Sequence, residues 1–231
     1  MSDESAAPYK LPVAELVDRF QELYTAAIND MFQRRGLHDQ WLGPSIKCRT
    51  REMGGEVVAG PAFTVQWVSD PAEDQRQSPA AHMVGSYPEH GIIVVDTGQD
   101  QVSGFWGELA TTVCLERGVN GAIINGGAKD TGFVHMVDFP IFARFTSPVD
   151  GFYRSRLHAW QVPIWFDGVR IEPNDFIVAD RDGAVVVPQG IAEDILVEAE
   201  GYAEEESHTR RLLREGVPAA EATRLTGRRD L

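Results

Sequence analysis

The fold of this chain is decided by three consecutive segments, GIIVV at residues 91–95, FWGELATTVCLER at residues 105–117 and GAII at residues 121–124. The first and third are short apolar runs, which is typical of buried strands. The segment between them is long enough to form a helix. A strand, a helix and a second strand in this order predict a parallel crossover unit whose sheet is covered on its faces.

Four more short strands are predicted downstream of this unit, at residues 141–144, 164–166, 176–179 and 184–187. The last two flank Asp180-Arg181-Asp182-Gly183, which is typical of a hairpin turn. Upstream, residues 55–68 are rich in Val, Phe, Thr and Trp but are interrupted by Gly60-Pro61. This interruption predicts two strands joined by a turn.

Helices are predicted at both ends of this strand-rich region. Apolar residues recur at helical spacing over residues 13–32, which predicts one amphipathic helix closed by Gly36. A long acidic helix is predicted over about residues 191–215, ended by Gly216. The whole pattern predicts an α/β fold with a mixed sheet in a single domain over residues 1–231, although it does not determine the topology.

Composition restricts the possible partners and the compartment. The chain carries 35 acidic and 21 basic residues, a net charge of -14. Nucleic acid is therefore not an expected partner, because backbone binding depends on clustered Lys and Arg. No apolar run approaches the roughly 18 residues that span a bilayer, and residues 1–12 do not resemble a signal peptide, so we expect no membrane association and a cytoplasmic protein. Cys48 and Cys114 lack metal-site spacing and are expected to be reduced structural residues.

Two segments have the features of an anion-binding site. In α/β sheets, ligands bind at the carboxyl ends of strands and at helix amino termini, where N–H groups and the helix dipole favour negative charge. Residues 104–110 lie at the start of the predicted central helix, and the glycine-rich residues 125–130 directly follow a predicted buried strand. A carboxylate substrate would fit between them, although the spacing alone is also compatible with an ordinary connection.

The side chains in these segments suggest metal chemistry. Glu108 and Asp130 offer hard oxygen ligands or a base, and Lys129 offers a cation beside them. Together they would hold a metal ion and a polarised carbonyl oxygen. Arg144 is a further candidate that would bind a second substrate carboxylate, and residues 96–98 would border the pocket or form a simple turn.

Several motifs resemble one known family. They are Glu108 followed by twenty residues and Lys129-Asp130, then WGEL at 106–109, RGV at 117–119, GAIING at 121–126, FPIFA at 139–143, PND at 173–175, DRDG at 180–183 and VVVP at 185–188. The chain resembles the family that holds the class II pyruvate aldolases of the 4-hydroxy-4-methyl-2-oxoglutarate (HMG/CHA) type and the ribonuclease regulator RraA. The likeness runs from the first predicted helix to the acidic one.

The resemblance implies an RraA-like swivelling β/β/α fold with a mixed sheet. It also implies a homotrimer or a dimer of trimers, a homohexamer, with active sites at subunit boundaries. The implied activity is that of a divalent-metal-dependent lyase that cleaves a carbon–carbon bond of a small 2-oxo acid through a pyruvate enolate. Both retro-aldol cleavage and oxaloacetate-type decarboxylation are compatible with it.

The resemblance also implies roles for individual residues. Asp130 would hold Mg²⁺ or Mn²⁺, largely through water. The turn at Gly107 and the backbone amides of Leu109 and Ala110 would receive the substrate carboxylate. Glu108 would organise the water that carries the proton.

Two further roles follow from the same resemblance. Lys129 would bind the substrate and stabilise the enolate. Glu205 or Glu206, from the acidic helix of a neighbouring subunit, would complete the site, although a solvated acidic face explains these two glutamates about as well.

Lys129 is a departure from the family, which has arginine at this position. Arginine binds two oxygens with a planar fork, whereas lysine is a point charge. Only Lys10, Lys47 and Lys129 are lysines in a chain that otherwise uses arginine, so we hypothesise that Lys129 marks a different substrate or reaction. A role as a Schiff-base nucleophile would require a lowered lysine pKa, and the neighbouring Asp130 opposes that.

Two other functions are alternatives for a chain with this resemblance. The first is that of an RraA-like regulator, which does not catalyse a reaction but binds an RNA-degrading enzyme. The regulators keep the Arg-Asp pair and lack the upstream acidic residue, so Glu108 favours an enzyme. The second, a methyltransferase acting on demethylmenaquinone, is not supported because the sequence has no glycine-rich cofactor loop in a nucleotide-binding context.

Overall fold

The structure is a computed structural model that describes residues 8–70, 79–151 and 154–227. Its helices are α1 (Val13–Gln21), α2 (Thr25–Arg34), α3 (Ala80–Val84), α4 (Glu108–Arg117), α5 (Thr131–Met136), α6 (Ala192–Arg214) and α7 (Ala219–Thr226). Its strands are β1 (Lys47–Cys48), β2 (Val58–Ser69), β3 (Ile92–Asp96), β4 (Gly104–Trp106), β5 (Gly121–Ala128), β6 (Ile141–Thr146), β7 (Ser155–Trp160), β8 (Ile164–Phe166), β9 (Val169–Ile171), β10 (Phe176–Ala179) and β11 (Ala184–Val187).

The main sheet is mixed, as predicted. Its strand order is β1-β6-β5-β3-β2-β10-β11, with β4 beside β5 and β7 beside β2. Strands β2, β3, β5, β6 and β4 pair in parallel, whereas β1, β7, β10 and β11 pair antiparallel to their neighbours. The predicted crossover unit is confirmed, because β3 and β5 are parallel neighbours whose connection contains α4.

Three buried apolar clusters hold the sheet. The first packs α1, α2 and α6 against β10 and β11. The second packs the β8–β9 hairpin against one face of β3 and β5, including Ile92, Val94 and Ile123. The third packs α3, α4 and α5 against the opposite face, including Ile93 and Val95. Strand β3 is thus covered on both faces, which explains why its sequence is continuously apolar rather than alternating.

The prediction of a single helix over residues 13–32 is wrong. The chain forms α1 and α2 with a break between them, and α2 begins at Thr25. Asp180, in the turn after β10, stabilises the start of α2. Its carboxylate accepts hydrogen bonds from the backbone N–H and the hydroxyl of Thr25, both at 2.8 Å. These bonds satisfy a donor at the first turn of α2 that has no acceptor within the helix. Gly36, at φ +74°, follows α2 as predicted.

The prediction of two strands divided at Gly60-Pro61 is also wrong, because β2 runs unbroken through both residues. The N–H of Ala62 donates to the carbonyl of Asp175, so the nitrogen of Pro61 points to the opposite side. On that side the ladder with β3 begins only at Ala62, and the missing proline N–H leaves no gap in it. Gly60 is required because a Cβ there would overlap the carbonyl oxygen of His90.

The predicted boundaries around the central helix need correction. Helix α4 begins at Glu108 rather than at 105, and the residues before it form β4. The glycine-rich segment predicted to follow a strand is itself strand, since β5 extends to Ala128. Strand β4 pairs with this extension, and a Cβ at Gly127 would lie 2.6 Å from the carbonyl oxygen of Ser103. Glycine therefore allows a close approach between neighbouring backbones, which the sequence does not reveal.

The C-terminal half follows the predictions more closely. Strands β8, β10 and β11 have the predicted bounds, β10 and β11 form the predicted hairpin, and α6 is the predicted acidic helix. Elements α3, α5, α7, β7 and β9 were not predicted. Cys48 and Cys114 are free thiols, and burial raises the pKa of Cys114 to about 12. Over residues 8–70, 79–151 and 154–227, no helix has the length and apolar character needed to cross a membrane.

Candidate active site

The amino terminus of α4 forms one wall of the candidate site. Gly107 precedes the helix in an extended conformation, and Glu108 is the first helical residue. The N–H groups of Leu109 and Ala110 belong to the first turn, where no carbonyl of the helix can accept them. The Leu109 side chain is 81% exposed, so this end of the helix lies at the surface. The position at which the sequence predicts carboxylate binding is thus an exposed helix start, where N–H groups favour anions.

Asp130 faces this helix start from the end of β5. Its backbone is left-handed, with φ 53° and ψ 25°, a conformation that aspartate tolerates better than most residues. The carboxylate does not cap α5, the helix that follows it. Instead its Oδ2 lies 3.4 Å from the backbone nitrogen of Glu108. The structure thus brings Glu108 and Asp130 together, as predicted.

Gly107 is where the side chains of Lys129 and Asp130 meet. A Cβ on Gly107 would overlap Oδ2 of Asp130 and lie 3.1 Å from Cγ of Lys129. A Cβ on Gly104 would lie 2.8 Å from Cβ of Lys129. The aliphatic part of Lys129 therefore runs along a floor made by two glycines, and a larger residue at either position would displace it.

The Lys129 amine is paired with Asp150, a residue that no sequence motif points to. The distance from Nζ to Oδ2 of Asp150 is 2.6 Å. This hydrogen bond, together with the charges of Asp150 and Asp130, raises the pKa of Lys129, and burial opposes the rise only in part. The amine is therefore charged, which argues against the Schiff-base role. Asp150 carries no motif, and the bridge between Gly104 and Asp150 brings it to the site.

Two pockets border this region, and they are separate. The smaller, of about 100 Å³, is lined by Trp67, Gly104, Phe105, Trp106, Gly107, Lys129, Asp150 and Gly151. The larger, of about 770 Å³, is lined by Asp96, Gly98, Gln99, Asp100, Gln101, Asn125, Arg144, Phe145, Trp165, Asp167 and Gly168. Only the smaller pocket includes the predicted site residues Gly107 and Lys129.

Arg144 faces the larger pocket and is held by its own neighbours. Its guanidinium donates to the side chains of Asn125 and Ser45 at 2.6 Å and pairs with Asp167. The structure therefore does not bring it to Lys129. Asp96 also lines the larger pocket rather than the one that contains Gly107 and Lys129, so the structure does not place it at the predicted substrate pocket; burial raises the pKa of its carboxyl group.

Glu205 and Glu206 lie away from Asp130 within one chain. Helix α6 packs with α1 and α2, whereas Asp130 lies beside α4 and α5. Glu206 accepts a hydrogen bond from the Tyr24 hydroxyl and pairs with Arg210 at 3.5 Å, while Glu205 is exposed. Glu205 and Glu206 can therefore reach only the Asp130 of a second copy of this chain.

A divalent cation of the magnesium type fits the residues present. Within the described part of the chain, no three His, Cys, Asp or Glu side chains form a group able to hold a metal. An all-protein cage of the zinc type is therefore not formed by those residues. Mg²⁺ keeps most of its water and uses one or two carboxylates, so the Asp130 carboxylate, which lies beside the backbone nitrogen of Glu108, is a suitable oxygen donor for it.

The fold and the site define a single-domain α/β protein with a curled mixed sheet and a carboxylate-lined site at a helix start. The chain belongs to the RraA-like family, whose model, described as Aldolase/RraA, matches residues 25–186. The expected fold class is thereby confirmed.

Individual proteins are also similar to this chain in sequence or in fold. A Halalkalibacterium halodurans protein named "Putative 4-hydroxy-4-methyl-2-oxoglutarate aldolase" is 29% identical over 208 residues, which are 90% of this chain and 93% of that protein. Protein DlpA of Legionella pneumophila is 27% identical over 172 residues, 74% of this chain, so the match spans about a quarter (27%) of DlpA. The structure of Streptomyces coelicolor RraAS2, described as an unusual member of the RNase ES inhibitor RraA protein family, matches with a TM-score of 0.76 and 24% identity over 88% of this chain and 99% of RraAS2. This last similarity is one of fold.

Proposed function

We propose that the protein is a divalent-metal-dependent lyase that cleaves a carbon–carbon bond of a 2-oxo acid, by retro-aldol cleavage or by decarboxylation of an oxaloacetate-type acid. The observation that carries this proposal is the placement of the Asp130 carboxylate in front of the α4 amino terminus, with the charged Lys129 beside it. An oxygen ligand, an anion-binding helix start and a cation thus surround one glycine, Gly107. These three groups suit the cleavage of a 2-oxo acid through a metal-stabilised enolate.

The substrate carboxylate would bind at the first turn of α4. The N–H groups of Leu109 and Ala110 would donate to its oxygens, and the helix dipole would add to the attraction. This binding would orient the 2-oxo group toward Asp130, whose oxygen lies next to the N–H of Glu108. The helix start therefore positions the reacting carbonyl group.

Asp130 would hold Mg²⁺ or Mn²⁺, with Glu108 as the neighbouring oxygen donor. When bound, the cation would act as a Lewis acid on the substrate carbonyl oxygen. The Lys129 amine would add a second positive group where negative charge gathers as the pyruvate enolate forms, and such preorganised charge is usually the largest contribution to catalysis. Glu108 would hold the water that takes and returns the proton.

A homo-oligomer, either a trimer or a dimer of trimers, would complete the site. One chain brings no carboxylate of α6 to Asp130, so the additional acidic residue would come from a second copy. Glu205 suits this role better than Glu206, because the latter is engaged by Tyr24 and Arg210 of its own chain. The partners we expect are thus a small 2-oxo acid and further copies of the chain.

Release of pyruvate tests the proposal. Purified protein would be assayed with 4-hydroxy-2-oxo acids and oxaloacetate, with Mg²⁺ or Mn²⁺, and with a chelator. We expect metal-dependent release that falls by roughly 100-fold or more in Asp130→Asn, since removal of one group that stabilises transition-state charge has effects of that order. Asn also tolerates the left-handed backbone.

Asp138→Asn is the matched control. Asp138 is also exposed and also has φ 53°, but it pairs with Arg51 at 3.2 Å rather than with the site. It should keep full activity. Absence of pyruvate from every acid, or full activity in Asp130→Asn, would overturn the lyase proposal. Binding to an RNA-degrading enzyme without turnover would then support the regulator instead.

A further inference from the structure

The charge of Lys129 is compensated within the chain. Its Nζ lies 2.6 Å from Asp150, and the two side chains form an ion pair at the edge of the small pocket. Lysine keeps protons free to donate to a substrate oxygen while it stays paired. The pair as a whole is neutral, however, so it attracts a substrate carboxylate far less than a lone cation would.

The walls of the small pocket are mainly apolar. Trp67 and Phe105 pack edge to face with their ring centroids 5.8 Å apart, and Trp106 and glycine backbone complete the lining. A volume of about 100 Å³ admits a group of only a few heavy atoms. A carboxylate placed there would lose water and meet only an ammonium group whose charge Asp150 already compensates, whereas an apolar group would be favoured.

Arg144 does not make the small pocket more favourable for a carboxylate. Its guanidinium is committed to Asn125, Ser45 and Asp167, and it lines the larger pocket. Among the described residues that line the small pocket, Lys129 is the only cation. A second substrate carboxylate would therefore meet no unpaired positive charge from this lining.

We infer that the lyase site is specific for 4-hydroxy-2-oxo acids whose C4 substituent is small and uncharged, and that Asp150 sets this specificity by neutralising Lys129. The inference rests on the proposed lyase function. It also gives Lys129 a physical role as a replacement for arginine, because an ammonium group paired with Asp150 offers a substrate carboxylate only single hydrogen bonds, whereas a planar guanidinium could bind a second substrate carboxylate through two parallel ones.

The reaction is balanced without any further reagent. The C3–C4 bond breaks, and its electron pair forms the enolate of pyruvate. The proton of the C4 hydroxyl passes to the water held by Glu108, and a proton is delivered to C3. The products are pyruvate and the aldehyde that carries the C4 substituent, which leaves the small pocket.

Two substrates of nearly the same shape test the inference. The C4 substituent is a methyl group in 4-hydroxy-2-oxopentanoate and a carboxylate in 4-hydroxy-2-oxoglutarate. We expect the wild-type protein to have a kcat/KM at least about tenfold higher for the pentanoate. In Asp150→Asn the Lys129 charge is no longer compensated, and we expect this ratio to shift by about tenfold or more toward the glutarate.

Asp138→Asn controls for the change of one surface charge. It also removes one aspartate from an ion pair with a basic residue, but away from the pocket, so the ratio should not move. The Asp150 side chain is about half exposed (49%), and a thermal melt checks that Asp150→Asn is folded. Asp150→Ser repeats the test with a different neutral side chain.

The possible failures are distinguishable. Pyruvate release with a preference for the glutarate in the wild-type protein would overturn the inference and leave the lyase function standing. An unchanged ratio in folded Asp150→Asn and Asp150→Ser would overturn the role of Asp150. No pyruvate from either substrate would overturn the specificity, and no pyruvate from oxaloacetate as well would overturn the proposed function itself.

Discussion

Gly107 separates the two side chains that the proposed chemistry needs. An alanine there would place a methyl group over the Asp130 carboxylate and against Lys129, and the carboxylate would have to turn away from the N–H of Glu108. We expect Gly107→Ala to lower metal-dependent pyruvate release by roughly tenfold or more, because small displacements of catalytic groups have large effects. Its melting temperature should change little, since the backbone at Gly107 is extended.

Gly132→Ala is the matched control for this substitution. Gly132 lies in α5, close in sequence to Asp130, and a Cβ there meets nothing within 4 Å. We expect normal activity in this variant. Equal activity in Gly107→Ala and Gly132→Ala would show that the packing around Gly107 does not matter for turnover.

The protonation of Lys129 leads to a second prediction at the residue scale. Its hydrogen bond to Asp150 raises the pKa of the amine, so the amine remains charged at neutral pH and is a poor nucleophile. Treatment with pyruvate and borohydride should leave Lys129 unmodified in a peptide mass map. A pyruvate-derived mass increase on Lys129 would contradict this prediction and revive the Schiff-base role.

At the scale of elements, the start of α2 depends on a residue of the β10–β11 turn. Asp180→Ala would leave the buried N–H and hydroxyl of Thr25 without their acceptors. We expect the free energy of unfolding to fall by about 1 to 3 kcal/mol, which is the usual cost of an unsatisfied buried donor. Denaturant unfolding monitored by circular dichroism measures this change.

Asp182→Ala is the control, because Asp182 lies in the same turn with its side chain exposed. Its backbone N–H, which donates to Asp180, is kept in this variant. We expect wild-type stability within about 0.5 kcal/mol, as for most surface substitutions. A similar loss of stability in both variants would mean that the turn itself, rather than the bond to Thr25, is responsible.

Asp96, the last residue of β3, makes a pH-dependent contribution to the stability of the protein. Burial raises the pKa of Asp96 in the folded state, despite hydrogen bonds from Gly98 and Gln66 that oppose the rise. The folded state then binds more protons than the unfolded state between the ordinary and the raised pKa. The stabilisation from protonated Asp96 is therefore present at low pH and is lost as the pH rises through the raised value.

Asp96→Asn isolates this contribution. The stability of the wild-type protein minus that of Asp96→Asn should decrease as the pH rises from the acidic range toward neutrality. Unfolding curves of both proteins at a series of pH values measure the difference. A difference that is constant, or that grows with pH, would contradict the assignment to Asp96.

At the scale of the whole molecule, the proposed site combines residues of two copies. Asp130→Asn and Glu205→Gln should each be nearly inactive, because each removes one part of every site. When the two variants are unfolded and refolded together, about a quarter of the sites should receive both intact residues by chance. Pyruvate release should then recover to about that fraction of the wild-type rate.

Glu204→Gln serves as the control for Glu205→Gln, since Glu204 is its exposed neighbour on α6. We expect Glu204→Gln to be active by itself. No recovery in the mixture of Asp130→Asn and Glu205→Gln, with each variant still assembled, would place both residues in the same subunit's site or exclude Glu205 from it.

Elements whose signal is local could be predicted from the amino-acid sequence alone. The β3–α4–β5 crossover, the β10–β11 hairpin and the acidic helix α6 were all predicted, because apolar runs, helical spacing and turn residues act over a few neighbouring positions. The approach of Glu108 and Asp130 was predicted for a related reason. Glu108 lies at a helix start and Asp130 follows a strand end, and these two features meet at one edge of a parallel sheet.

Features that depend on partners far apart in the chain could not be predicted from the sequence. The break between α1 and α2 is set by Asp180, which lies 155 residues from Thr25 in the chain. Lys129 is paired with Asp150 because β4 and the segment after β6 meet beside β5. No local preference encodes such contacts, because their energies arise only when burial brings separate parts of the chain together.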